Sequence, residues 1–321
     1  MSAEDQGRAW QLDWIEASGV AAQDWPAGAL YVVATPIGNA GDLTLRALWA
    51  LRMADAVFAE DTRVTRTLLD RFGLRPPALL AAHAHNEQQA AEAIVARLEA
   101  GERVVLVSDA GTPGVSDPGA RIVRAVRTAG RRVIPLPGAS SVLAALAASG
   151  VGEAGFDFAG FLPTGARERE RVLRAAAASP RPSVLFEAPH RIEATAQAIA
   201  AALPAERSVV VARELTKKFE SIDVVEAAAL PAFIGAQRQR GEYVLVIEAD
   251  APATADDAGA AIDAGTQRWL DALAQALPAS KAAAVAAQAT GLKRELLYRE
   301  LTSRRHSAPA SPAQDEASGE S

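Results

Sequence analysis

Along the first half of the chain, short and nearly unbroken apolar runs alternate with longer segments whose apolar residues recur at helical spacing. The runs Leu30–Ala34, Ala56–Ala59, Ala78–Ala82, Arg103–Val107 and Arg132–Leu136 read as strands buried on both faces. Between them, Leu43–Met53, Thr62–Phe72, Glu87–Ala100 and Ala120–Ala129 read as helices, the last two closed by Gly101 and Gly130. This alternation predicts a largely parallel sheet flanked by helices.

A second set of elements follows the alanine-rich helix Ala139–Ser149. Asp157–Gly160, Ser183–Glu187, Ser208–Ala212 and Tyr243–Glu248 pattern as strands, and Ala166–Ala178, Arg191–Leu203 and Val224–Gln237 as helices. The irregular connections predict a smaller α/β domain with mixed strand directions. Residues 250–265 form an acidic Ala/Asp/Pro/Gly linker. Three short helical patterns follow, Gln267–Leu277, Ser280–Ala289 and Lys293–Thr302, with a Thr290-Gly291 turn before the last. The pair around that turn fits a helix-turn-helix. Its basic residues Lys293, Arg294 and Arg299 either meet RNA or solvate a small helical cap. The expected organisation is therefore an extension (1–28), a first α/β domain (29–138), a second (139–249), a linker (250–265), a helical module (266–306) and a disordered tail (307–321). The extension carries Trp10, Trp14 and Trp25, which either pack on the body or float.

Charge changes this picture in one respect. The 321 residues carry a net charge of −6, but residues 1–25 sum to −4, residues 250–263 to −4 and the tail to −3. The rest of the chain is left at about +5, so global acidity does not exclude a nucleic-acid partner. With no cysteine there is neither a disulfide framework nor a thiolate nucleophile, and four histidines are a poor basis for a zinc site; no metal is expected. The first residues lack the apolar core of a secretory signal, and no apolar segment is long enough to span a bilayer. A soluble, cytoplasmic protein is expected, with no membrane partner.

Candidate chemistry lies in the loops. Four strands run into short Gly- or Pro-containing segments that precede helices: TPIGN (Thr35–Asn39), SDAGTP (Ser108–Pro113), PGASS (Pro137–Ser141) and EAPHR (Glu187–Arg191). All four fall at strand carboxyl ends, where ligands of open α/β sheets bind. Any one of them is an ordinary βα turn; four together predict a composite cleft. The longest, within VVLVSDAGTPGVSDPG (104–119), carries Asp109, Thr112, Ser116 and Asp117 and has little apolar content of its own. The sequence contains neither G-x-G-x-x-G after the first strand nor a P-loop nor a G-x-S-x-G elbow, which disfavours dinucleotides, nucleoside polyphosphates and acyl-enzyme chemistry.

Eight segments stand together in a recognisable order: LYVVATPIGNAGDLTLRAL (30–48), AEDTRVTRTLL (59–69), HNEQQ (85–89), VSDAGTPGVSDPG (107–119), PLPGASS (135–141), FEAPHR (186–191), ARELTKKFE (212–220) and GEYVLVIE (241–248). On these the chain resembles the small-subunit (16S) ribosomal RNA methyltransferase I family of the tetrapyrrole methylase superfamily, from about residue 29 to 303. The resemblance implies a two-domain class III methyltransferase fold and transfer of a methyl group from S-adenosylmethionine to the ribose 2′-oxygen of a cytidine in the decoding region. It implies 16S rRNA or the small ribosomal subunit as partner, and often a homodimer. It further implies that Ser108, Asp109, Ala110, Gly111, Thr112 and Pro113 hold the methionine and ribose parts of the donor. Pro137, Gly138, Ser140, Ser141, Phe186, Ala188, Leu215 and Gly241 would enclose the adenosine.

For such a transfer the substrate-side candidates are EDTR, HNE and ELTK. Asp61 and Lys217 are the first choices for catalytic groups, followed by Glu60 and His85. Asp61 and Glu60 follow a short strand and are expected to face the cleft, although Asp61 equally suits a helix N-cap. Arg63 is expected to meet RNA phosphate. His85 is a candidate because a histidine can accept a proton near neutral pH, but a lone loop histidine is more often a hydrogen-bonded structural group.

Overall fold

The computed structural model describes residues 14–151, 155–236, 241–249, 262, 264–290 and 292–305. Two compact units divide at residues 250/251.

The first unit holds two five-stranded sheets. In the first, β1 (Ala29–Val33), β2 (Ala56–Ala59), β3 (Leu79–Ala81), β4 (Val104–Val107) and β5 (Arg132–Leu136) are ordered β3-β2-β4-β1-β5. Every pairing among them is parallel. The connections are α1 (Leu45–Met53), α2 (Thr62–Arg71), α3 (Glu87–Glu99) and α4 (Ala120–Thr128). Because strand side chains alternate, Tyr31, Val57 and Val105 pack on one face with Leu48 and Leu51 of α1. Leu30, Phe58 and Leu106 pack on the other with Ile94 of α3 and Ile122 of α4. Both faces are covered, which is why these strands read as continuous apolar runs. Trp25 belongs to this core, its indole N–H donating to the Val20 carbonyl at 2.9 Å, so that part of the extension packs on the body. Trp14 is exposed, and Trp10 lies outside the described residues.

The second sheet, reached through α5 (Ser141–Ser149), has β6 (Asp157–Phe161), β7 (Ser183–Glu187), β8 (Ser208–Arg213), β9 (Ser221–Glu226) and β10 (Tyr243–Ile247) in the order β6-β7-β10-β8-β9. β6 and β7 are parallel and the other pairs antiparallel, a mixed sheet. Leu185, Val211 and Leu245 bury one face against α6 (Ala166–Ala177), α7 (Ile192–Ala202) and α8 (Leu230–Ala236). Val184, Val210 and Val246 bury the other against Val142 and Ala145 of α5.

One expectation is overturned. The helix expected over Val224–Gln237 begins as a strand: β9 pairs with β8 across six residue pairs, and only Leu230–Ala236 is helical. β9 is an edge strand whose Val224 is exposed, so its apolar residues do not mark a buried helix face. The expected end of that helix, Gln237, lies outside the described residues.

The second unit contains α9 (Ala264–Ala276), α10 (Ala279–Thr290) and α11 (Arg294–Arg305). They enclose a small core of Leu270, Ala282, Ala283, Ala286, Leu297 and Leu301. Most of the expected linker and the whole tail lie outside the described residues. No helix among the described residues is long and apolar enough to cross a membrane.

Candidate active site

Strand order gathers the loops. β1 lies between β4 and β5, so TPIGN, SDAGTP and PGASS emerge side by side, with EDTR next to them after β2. Thr35 and Gly111 exchange backbone hydrogen bonds at 2.8 and 2.9 Å, and the Thr35 hydroxyl donates to the Ser108 carbonyl at 3.0 Å. The Thr112 hydroxyl donates to the Ala139 carbonyl at 3.3 Å, tying the second loop to the third. Gly111 has φ +80°, a region that favours glycine. At Gly138 a Cβ would stand 2.8 Å from the Ala34 Cβ, so PGASS can lie against β1 only without a side chain there. Ser140 caps α5.

The second sheet supplies the opposite wall by register. Glu187, Tyr243 and Arg213 are cross-strand neighbours, so the end of β7, the start of β10 and the end of β8 meet at one edge. The Glu187 carboxylate is buried, accepting from the Ala188 N–H at 2.8 Å and the Thr195 hydroxyl at 2.5 Å while facing the Arg191 guanidinium at 3.2 Å. Two hydrogen bonds and an ion pair are what keep a buried charge tolerable. The turn after β8 is unusual: Glu214 and Thr216 are non-glycine residues at φ +51° and +67°, on either side of Leu215. Such strain concentrates at functional sites.

Between these walls lies a cavity of about 300 Å³. Ala110, Gly111, Thr112, Ser140, Ser141, Phe186, Ala188 and Leu215, all expected donor-site residues, line it. Ser108, Asp109, Pro113, Pro137 and Gly138, also expected at the donor site, do not line it. Gly241 does not line it either: a Cβ there would fall 2.4 Å from Glu214 Cγ, so this glycine makes room for the Glu214 side chain. The lining residues missed by sequence reasoning include Ile37, Val142, Asp117, Glu187, Glu242 and Tyr243. Ile37, Asp117, Glu187, Glu242 and Tyr243 lay inside segments already singled out; strand register is what brings Glu242 and Tyr243 to the cavity. Among the lining residues there is no lysine or arginine, while Asp117, Glu187 and Glu242 are acidic. That lining favours a cation embedded in an apolar frame over a polyphosphate.

The substrate-side candidates lie outside the cavity lining. Asp61 caps α2, accepting from the Arg63 N–H at 2.8 Å and meeting the Arg63 guanidinium at 2.5 Å. These bonds, the side-chain one first, hold its carboxyl down at about 2. Its backbone N–H donates to Asp109 Oδ1 at 2.9 Å, and the Asp109 N–H donates to Glu60 Oε2 at 3.3 Å, so EDTR and SDAGTP are stapled together. Burial, with the Asp61 charge adding to it, raises the Asp109 carboxyl. Neither Glu60 nor Asp61 lines the cavity, contrary to the expectation that they face it. Lys217 donates to Glu214 at 2.8 Å and Glu242 at 3.0 Å. Desolvation opposes its charge, but the two carboxylates outweigh it and raise the ammonium. Burial likewise opposes Glu214, and the Lys217 and Glu242 hydrogen bonds overcome it to lower that carboxyl. Lys217 Cγ would meet a Cβ on Gly38 at 2.5 Å, which places it against TPIGN. His85 is exposed, with its ring 6.1 Å from that of His83, away from the cavity lining. Arg63 is exposed, and Lys293, Arg294 and Arg299 are exposed on the separate helical unit.

Two five-stranded sheets whose strand-end loops line one cavity define a methylase fold. The family described as "Tetrapyrrole (Corrin/Porphyrin) Methylases" matches residues 29–231, and "RsmI C-terminal HTH domain" matches residues 260–305. Among solved structures the methyltransferase CobJ aligns with a TM-score of 0.54 at 22% identity, over 70% of this chain and 95% of its own. The cobalt precorrin-4 methyltransferase CbiF aligns with 0.52 at 20%, over 70% and 98%. Among sequence relatives, the Ribosomal RNA small subunit methyltransferase I of Escherichia coli O157:H7 is 43% identical over 85% of this chain and 94% of its own length. The protein of that name from Mesorhizobium japonicum is 46% identical over 85% and 91%, and that from Pseudomonas aeruginosa 42% over 87% and 98%. The chain belongs to the ribosomal RNA small subunit methyltransferase I family, within the tetrapyrrole methylases.

Proposed function

We propose that the protein methylates 16S ribosomal RNA with S-adenosylmethionine as donor, and that the acceptor is the ribose 2′-oxygen of a cytidine in the decoding region. The observation that carries this reading is the cavity itself: loop backbone, apolar side chains and carboxylates, with no cation in its lining. This chemistry suits a zwitterion bearing a sulfonium, and family membership supports the RNA acceptor. Bound there, the donor supplies an already activated methyl group. Ala110–Thr112 offer backbone groups to its amino-acid and ribose portions, with Ser108, Asp109 and Pro113 holding their geometry. Ser140, Ser141, Phe186, Ala188 and Leu215 enclose the adenine side, over the floor set by Pro137 and Gly138.

What the protein then has to do is orient. Holding an oxygen in line with a methyl group supplies up to roughly 7–11 kcal/mol of the barrier in the best cases. A 2′-hydroxyl also distinguishes RNA from DNA, and a paired cytidine has to leave its helix to reach a cavity of this kind. Arg63 of EDTR and Lys293, Arg294 and Arg299 on the helical unit are the phosphate contacts of this reading. Lys217 presents positive charge beside TPIGN, and Asp61 positions SDAGTP through Asp109.

Small subunits purified from a strain lacking the gene, incubated with the protein and S-adenosylmethionine, are expected to gain one methyl group on a cytidine ribose, located by mass mapping of nuclease fragments. If 16S rRNA from the deletion strain already carries every 2′-O-methyl cytidine of its parent, the reading is wrong. A methyl group on a base rather than a ribose would keep the rRNA methylase and overturn the 2′-oxygen.

A further inference from the structure

Asp117 is the one carboxylate of the long loop after β4 that lines the donor cavity. Its position is tightly determined. Ser116 before it is held at φ +66°, Pro118 follows, and Gly119 adopts φ +140°. The N–H groups of Gly119 and Arg121 donate to one oxygen of the buried Glu87 at 2.9 and 3.1 Å, anchoring the far end of the loop. From the second sheet, Gly160 approaches so closely that a Cβ there would stand 3.2 Å from the Ser116 hydroxyl. A strained residue held from several sides marks a place where position matters.

Among the described residues, no ion pair gives Asp117 a counter-ion. Glu60 faces it from the end of β2 and Asp109 from the end of β4. Glu187 of β7 and Glu242 beside β10 line the same cavity. The nearby cations are engaged elsewhere: Arg63 with Asp61, Arg121 with Glu87, Arg191 with Glu187, and Lys217 with Glu214 and Glu242. The Ser108 hydroxyl, which donates to the Gly111 carbonyl at 3.3 Å, is the neighbouring group that favours its ionised form.

We infer that Asp117 is the catalytic base of this site, taking the proton from the hydroxyl that attacks the donor's methyl group. The inference rests on the function proposed above. In the step it describes, the ribose oxygen forms a bond to the methyl carbon as its proton passes to an Asp117 oxygen. The carbon–sulfur bond breaks with its electron pair left on sulfur, so the sulfonium becomes a neutral thioether; the carboxyl then returns its proton to solvent. Burial first, and the Glu60 charge second, push the Asp117 carboxyl up to about 6 against the opposing Ser108 hydroxyl. A base with that affinity is ionised at neutral pH yet basic enough to accept a proton during transfer. The other candidates suit the role less well: Asp61 is held near 2 by Arg63, and Lys217 is held protonated by two carboxylates.

The test is Asp117→Asn in the full-length protein, with methyl transfer to undermethylated small subunits followed from pH 5 to 9 and donor affinity measured separately by calorimetry. The wild-type rate constant at saturation is expected to rise with pH through about 6 and then level, as the base loses its proton. The variant is expected to lose ~10²–10⁴-fold in kcat, to lose that rise, and to weaken S-adenosylmethionine binding far less than it lowers kcat. Ser108→Ala is expected to move the midpoint upward, because its hydroxyl stabilises the ionised form. An Asn variant with wild-type kcat and pH profile overturns the inference and leaves the proposed function standing. A loss seen wholly as weaker donor binding overturns it too, making Asp117 a binding residue. Failure of the wild-type protein to methylate the subunit would instead remove the function on which it rests.

Discussion

Asp61 and Asp117 stand at the same sheet edge and are driven in opposite directions. Arg63 and a helix N-terminus hold the first down, whereas burial and the Glu60 charge lift the second. The lift has a cost in stability. A carboxyl raised from 3.8 to about 6 binds its proton more tightly in the folded chain than in the unfolded one. Its stabilising influence is complete below pH about 4 and is lost as pH rises through about 6. Felt in full, such a shift is worth ~3 kcal/mol, and partial exposure and solvent screening reduce it to roughly 1. Asp117→Asn is therefore expected to be more stable than the wild type by about that amount at pH 7.5 and equal to it at pH 3.5, as read from urea midpoints at the two pH values. Glu187 presents the opposite case, since its buried charge is matched on three sides. Glu187→Ala leaves Arg191 and Thr195 without that partner and should cost about 3 kcal/mol, the lower end for removing one member of a buried pair because Arg191 is partly exposed. None of this was legible in the sequence. Asp117 could be seen in its loop, but its burial and the Glu60 charge at the end of β2 are set by the fold.

At the level of elements, the site depends on β1 lying between β4 and β5, and on loops thin enough to touch. Gly138 is where that thinness is sharpest. Gly138→Ala would place a methyl group 2.8 Å from the Ala34 Cβ, with no flexible side chain to give way. It should destabilise the fold by about 1–3 kcal/mol and weaken donor binding by displacing PGASS. Gly165→Ala, before α6, meets nothing within 4 Å and has no positive φ. It should change donor affinity little when the two variants are titrated side by side. The elements of the first sheet were readable because its inner strands β1, β2 and β4 are buried on both faces and two of its helices end at a glycine. β9 was not: Ser221–Glu226 lies on an edge, and the apolar Val224 and Val225 run straight into an alanine-rich stretch that looks helical. Its pairing with β8, a long-range choice, overrode the local pattern. The four loops could be recognised as one site because all sit at strand ends, while the place of Glu242 and Tyr243 beside them, though their segment was quoted, is set by the register of β7, β10 and β8.

For the whole molecule, the division of charge argues for a division of labour. Residues 264–305 carry Arg268, Lys281, Lys293, Arg294, Arg299, Arg304 and Arg305 against Asp271, Glu295 and Glu300, a surplus of four positive charges in a chain whose net charge is −6. This unit has its own core, and the donor cavity lies wholly within the first unit. Donor binding and RNA binding should therefore separate. A chain ending at residue 250 keeps every cavity-lining residue and is expected to bind S-adenosylmethionine as the full protein does, while its affinity for small-subunit RNA falls. The finer version of the experiment keeps the unit and changes Lys293, Arg294 and Arg299 together to alanine. Each phosphate contact on single-stranded RNA contributes about 0.7 to the slope of log affinity against log salt. If all three meet phosphate, the slope should become shallower by roughly 2, with the difference in affinity largest at low salt and shrinking as salt screens the wild type. Base-reading contacts would weaken binding without this change of slope. A triple variant with unaltered affinity and slope would mean that these charges only solvate the helices, and that RNA is held by Arg63 and the rim of the first unit alone.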